Sequence, residues 1–113
     1  MGFHCVYLGP DDGAIIDGDH VASNSGWAAF VAWAVGLGGG YGDLAELAEE
    51  GVVASPDELS RLQAQLRRAL REQPGYASPE VMGAARRLLA CVRARPDGCT
   101  AMMITDGSAG PDD

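Results

Sequence analysis

The chain has 113 residues, of which 47% are apolar and 21% charged, and a net charge of −8. This length corresponds to one domain, long enough for a hydrophobic core without disulfides or a structural metal. The acidic total argues against general nucleic-acid binding, which needs a basic footprint. All eight basic residues are arginine, and without lysine neither a P-loop nor a lysine Schiff base can be built.

The charge is segregated. Residues 1–60 carry ten acids and no base, whereas residues 61–95 hold all eight arginines and two acids. Acidic and basic surfaces could neutralise each other within the fold, or form a dipolar face that docks a charged partner. The arginine, alanine and glycine usage points to a GC-rich coding genome, bacterial or phage. Cys5, Cys91 and Cys99 are odd in number and show no C-x-x-C spacing. Buried free thiols in a reducing cytoplasm are therefore expected, not a disulfide framework or a zinc site. The opening "MGFHCVYLG" has no signal-peptide pattern, and Val6 breaks the myristoylation pattern.

In chain order, Phe3 to Leu8 reads as a strand apolar on both faces, hence central. "GPDDG" (9–13) is a turn, and Ala14 to Ile16 is expected to return as a short second strand of a hairpin. "DGDH" (17–20) reads as another turn leading into Val21 and Ala22. Ser23, Asn24 and Ser25 are N-cap residues, so a helix should begin near Gly26 and end near Gly36 to Gly40. Trp27, Phe30, Trp33, Ala34 and Leu37 share one bulky face of it, and valines and alanines occupy much of the rest. Such a helix is expected to be buried on both sides.

A short helix is expected from Asp43 to Glu50, with Asp43 and Glu46 as a capping-box pair and Gly51 as its stop. "SPDE" (55–58) opens a stronger, amphipathic helix to about Glu72. Its apolar stripe is Leu59, Leu62, Leu66, Ala69 and Leu70; Arg61, Arg67, Arg68 and Arg71 lie opposite. After a break at "QPGY" (73–76), "SPE" (78–80) opens the last helix, to about Ala94. Val81, Met82, Ala85, Leu88, Leu89 and Val92 form its apolar face, with Arg86 and Arg93 off that face. Cys99 to Thr105 is a second good strand, and 107–113 is expected to be a flexible acidic tail. The predicted class is α+β, one domain over 1–106. A small antiparallel or mixed sheet, made of the N-terminal hairpin and the C-terminal strand, packs with three to four helices. The last strand should pair with the first, and two-faced apolar strands leave room for helices on both sides.

Chemical motifs are sparse. Residues 20–42 carry no acid or arginine, but the apolar run from Trp27 to Gly39 covers about 13 residues where a membrane span needs ~20. "GYGDLA" (40–45) matches a dinucleotide fingerprint in letters only, because a helix precedes it in place of a strand. His4 and Cys5 are neighbours on a strand and point to opposite faces, so they do not form a nucleophile–base pair. No catalytic residue is nominated, and no cofactor is expected.

Three weaker constellations remain. His20, Ser23, Asn24 and Ser25 could hold an anion or ligand at a helix start. Asp17, Asp19 and His20, with Asp11 and Asp12 nearby, could offer donors to a divalent cation, although the spacing is not that of an EF-hand. Arg67, Arg68, Arg71 and Arg86 could meet a partner's carboxylates or phosphates. The expected function is that of a small acidic, cytoplasmic, non-enzymatic module that binds another protein, of the immunity, antitoxin, inhibitor or accessory-subunit type. Homo-oligomerisation is left open. The alternative is a small-molecule, anion or metal-binding domain, or a minor hydrolase, built on the Asp17–Ser25 region.

Overall fold

In the computed structural model the described residues are 2–10, 13–53, 55–72 and 77–106, without the side chains of 14, 16, 17 and 106. The predicted tail at 107–113, the 73–76 break, Asp11, Asp12 and the Asp17 side chain lie outside the described residues. The element order is β1 (Phe3–Leu8), β2 (Ala14–Ala22), α1 (Asn24–Val35), α2 (Gly42–Glu50), β3 (Val52–Val53), α3 (Pro56–Glu72), α4 (Pro79–Arg93) and β4 (Ala101–Asp106). This is the predicted α+β class. The sheet order is β2-β1-β4-β3, antiparallel throughout.

The predicted closure of last strand on first is present as an unbroken ladder from Phe3↔Asp106 to Leu8↔Ala101. β3 adds a strand that the sequence did not announce, since two residues carry no periodicity. Val52 and Val53 pair with Met103 and Met102, and the Ile104 amide donates to the Gly51 carbonyl at 2.7 Å. Gly51 takes a φ of 74°, the left-handed stop that glycine supplies after α2.

β2 corrects the sequence reading. The predicted short strand and separate "DGDH" turn are one nine-residue strand, Ala14–Ala22. Pairing with β1 overrides the local turn preference, and the strand absorbs the mismatch as bulges. From His4↔His20 to Val6↔Asp17, β1 advances two residues while β2 advances three. Gly18 and Asp19 thus oppose the single residue Cys5. Similar shifts fall between Phe3 and His4 and between Tyr7 and Leu8. Bulges suit an edge strand, because they spoil it as a template for further pairing.

The helices cover one face of the sheet, not both. Phe3, Cys5 and Tyr7 of β1, Met102 and Ile104 of β4 and Val53 of β3 belong to the same core as the buried side chains of all four helices. The register carries Val6, Met103 and Val52 on the other face, and none of them joins that core. There His4 and Thr105 make a side-chain hydrogen bond of 3.2 Å.

α1 departs from its expectation in the same way. Gly26, Trp27, Phe30 and Ala34 are buried, but Ala28, Ala32 and Val35 are exposed. Small apolar residues are a weak burial signal, since each hides little area when covered. The bulky face holds as predicted: Phe3, Trp27, Phe30 and Trp33 form a run of ring contacts with centroids 5.4, 5.1 and 5.8 Å apart. α3 and α4 bury most of the faces their sequence periodicity announced, with Leu70 and Leu89 only half-buried and Ala84 and Cys91 added to the buried side of α4.

α2 begins at Gly42 with Tyr41 as its cap residue, and no side chain of its own caps it. Asp43 therefore sits inside the first turn and does not act as the predicted capping-box residue. The free amide of Leu44 is satisfied from α3, by Gln65 Oε1 at 3.0 Å. Gln65 in turn donates to Asp43 at 2.8 Å, and Arg61 does so at 3.1 and 3.3 Å. A long-range contact replaces the local cap.

Candidate functional site

Three polar clusters carry whatever chemistry the fold offers. The first is the start of α1. Ser23 is its N-cap, and its Oγ accepts from the Gly26 amide at 3.1 Å. Across this helix end lies Glu80, in the first turn of α4. Its Oε1 accepts from Ser25 Oγ at 3.2 Å and from Ser23 Oγ at 3.5 Å. A Cβ on Gly26 would stand 3.1 Å from the same carboxylate oxygen, so glycine leaves room for it. The chain's own carboxylate thus stands beside this helix start, held by the two serine hydroxyls.

Of the other residues of that constellation, His20 comes near the cap: a Cβ on Gly2 would stand 3.0 Å from His20 Cε1 and 3.1 Å from Ser23 Cα. Asn24 and His20 are exposed, and His20 pairs with His4 in the strand register. Neither His20 nor Asn24 has a side-chain hydrogen bond among the described residues. Asp19 is exposed, and no group of three or more metal-ligating side chains forms among the described residues.

The second cluster is the arginines, which divide into two sets. Arg68 is taken up internally: its Nε donates to the Tyr41 hydroxyl at 3.1 Å, its Nη2 to the Gly40 carbonyl at 2.9 Å, and its guanidinium lies 4.3 Å from the Tyr41 ring centre. Arg61 holds Asp43, whose carboxyl this contact keeps below its ordinary value. Arg87 donates to the Val21 carbonyl of β2, and Arg95 to Gln63 of α3 at 3.1 Å. Among the described residues Arg71 approaches only Glu72, at 3.9 Å. Arg67, Arg86 and Arg93 are exposed and have no ion pair or hydrogen bond among the described residues.

The unpaired arginines lie on α3 and α4. On α3, Gln63, Arg67 and Arg71 follow at intervals of four, so they share a flank. Gln63 reaches Arg95 just past α4, which turns that flank toward α4. On α4, Arg87 and Cys91 face β2. The row Arg86, Leu89, Arg93 lies on another side of the helix, with both arginines exposed.

The third cluster lies in the core, and sequence reasoning missed it. Cys5 of β1 and Cys91 of α4 are both buried free thiols. They donate to the same acceptor, the Asp19 carbonyl, at 3.8 and 3.9 Å. The bulge explains this: with Gly18 and Asp19 opposite Cys5, the Asp19 carbonyl is released from regular pairing. The Tyr7 hydroxyl donates to the Cys91 carbonyl at 2.7 Å and fixes that turn of α4 over β1. A Cβ on Gly18 would collide with Cys5 Sγ and stand 3.0 Å from the Tyr7 ring.

The two thiols divide one another's acidity. The neighbouring Cys91 thiol is the main reason Cys5 is pulled down to about 7, against the opposing effect of burial. Cys91 is pushed up by that same contact and by burial. Burial also raises Tyr7, and a charge on Cys5 would raise it further. The available sequence signal was the shared inward position of Cys5 and Tyr7 and the placement of Cys91 beside Leu88 and Val92 on α4. Nothing local ties the two cysteines to each other.

No described helix is long and apolar enough to cross a membrane. No protein-family model, no curated protein and no solved structure matches the chain.

Proposed function

We propose that the protein is a non-enzymatic interaction module that docks an acidic surface of another protein through the α3–α4 seam. The observation that carries this reading is the division of the arginines. Arg61, Arg68, Arg87 and Arg95 are consumed by contacts within the fold. Arg67, Arg86 and Arg93, exposed on α3 and α4, have no such contact among the described residues. Three guanidinium groups on two rigid helices offer forked donors to carboxylates, at a smaller entropy cost than on a loop. The acidic remainder of the chain repels such a surface elsewhere and so orients it onto the arginines. Leu89, half-buried between Arg86 and Arg93, adds an apolar centre to the charged rows.

The reading is tested with the double charge reversal Arg67→Glu/Arg86→Glu. Both residues are exposed, so the variant should keep the wild-type Tm. The expected outcome is a protein captured from host lysate by wild type, lost with the variant, and bound in purified form with salt-sensitive affinity. Equal retention of that protein by the variant would overturn the reading. Capture of nucleic acid in its place would assign the arginines to phosphate.

A further inference from the structure

We propose that Cys5 and Cys91 form an oxidisable pair that closes to an intramolecular disulfide when the protein meets a hydroperoxide. The pair comes from opposite ends of the chain, yet both sulfurs lie on one carbonyl oxygen, that of Asp19, at 3.8 and 3.9 Å. Three features hold this arrangement. The β2 bulge presents the Asp19 carbonyl, Gly18 leaves the space that Cys5 Sγ fills, and the Tyr7 hydroxyl anchors the Cys91 carbonyl at 2.7 Å. The proposal does not depend on the arginine seam.

The chemistry divides between the two sulfurs. The Cys5 thiolate attacks one oxygen of the hydroperoxide and the O–O bond breaks. Cys5 becomes a sulfenic acid, and the second oxygen leaves as water or an alcohol with the proton that Cys5 gave up. The Cys91 sulfur then attacks the Cys5 sulfur. The S–O bond breaks, the S–S bond forms, and the hydroxyl leaves as water with the Cys91 proton. The two thiols lose two electrons in all, the hydroperoxide gains them, and no further co-reactant is needed. Cys5 takes the first role because its neighbour eases its ionisation, whereas Cys91 is held protonated.

Access runs through β2, an edge strand whose ladder to β1 is interrupted by bulges. Such strands open locally more readily than the central pairing. Cys99 is not part of the pair: its thiol donates to the Ala101 carbonyl at 3.1 Å, at the start of β4.

The test uses the full chain carrying Cys99→Ser, reduced and then exposed to hydrogen peroxide in its folded state. Free thiols are alkylated, and peptides are mapped by mass spectrometry without reduction. The expected result is a monomer with a Cys5–Cys91 cross-linked peptide, reversed by dithiothreitol. The oxidised monomer should melt at a higher temperature, because the new bond joins distant parts of the unfolded chain. Adding Cys91→Ser, which keeps a polar hydrogen-bonding group beside Cys5 but cannot form the S–S bond, should leave Cys5 as a sulfenic acid that dimedone traps. The cross-link measurement stands even where that second variant fails to fold. Two thiols that are both still free after peroxide treatment, and so are alkylated once the monomer is denatured, or cross-links found only between molecules, would overturn the proposal.

Discussion

Two clusters tie the N-terminal part of the chain to α4, and they differ in almost every physical respect. At the start of α4, Glu80 meets Ser23 and Ser25 in exposed contacts of 3.2 to 3.5 Å. Toward its end, Cys91 meets Cys5, Asp19 and Tyr7 inside the core. The first is assembled from good capping residues and is open to water, so each bond replaces one that solvent would supply. The second has its tyrosine hydroxyl and thiols in the core, and the Tyr7 hydroxyl bond to the Cys91 carbonyl is buried. Local chemistry can make a surface cluster cheaply, whereas a buried polar cluster must be satisfied by the whole fold.

Breaking the buried cluster should therefore cost more. The largest effect is expected from Gly18→Val, whose side chain must displace Cys5 Sγ and the Tyr7 ring. Overpacking at such a site costs about 3 kcal/mol, read as a lower denaturation midpoint in urea. A change below about 0.5 kcal/mol, the range of neutral surface substitutions, would show that the bulge does not press on Cys5. Tyr7→Phe comes next. It removes one buried hydrogen bond and leaves the Cys91 carbonyl without its side-chain donor, for a loss of about 1.5 kcal/mol by the same measurement.

At the surface, Ser23→Ala removes the N-cap of α1 and should cost about 1 kcal/mol. Ser25→Ala removes only the exposed contact to Glu80 and should cost a few tenths of a kcal/mol, roughly the range of exposed polar pairs. Should Ser25→Ala prove as damaging as Tyr7→Phe, the contrast between the two clusters fails. The smallest effect is expected at the α2–α3 contact. Asp43 lies below its ordinary value of 3.8 because of Arg61, so its contribution is present above that value and is lost as pH falls through the lower folded one. Arg61 is largely exposed, so solvent screening keeps this contribution small. Arg61→Ala should flatten that acid limb of the stability profile.

Much of the fold was legible in the sequence. The Ser-Pro starts of α3 and α4, their apolar stripes, the β1–β4 pairing and the α+β class all follow from periodicity and caps. The misses share a cause. β2 was divided at "DGDH" because turn preference is local and strand pairing is not. The two-residue β3 exists only because β4 lies beside it. α1 was expected to be buried on both sides because hydropathy does not record which alanines face water.

The candidate sites divide along the same line. The serine cap could be seen in the sequence, but not that Glu80, far along the chain, would face it. Eight arginines could be counted, but not which of them the fold consumes. By itself the sequence determined the local elements, because caps, periodicity and turn residues act over a few neighbouring positions. Only the tertiary structure decided which thiols share a carbonyl, which carboxylate meets which helix end and which guanidinium groups stay unpaired. Those outcomes depend on contacts between residues distant in the chain, and no local preference encodes them.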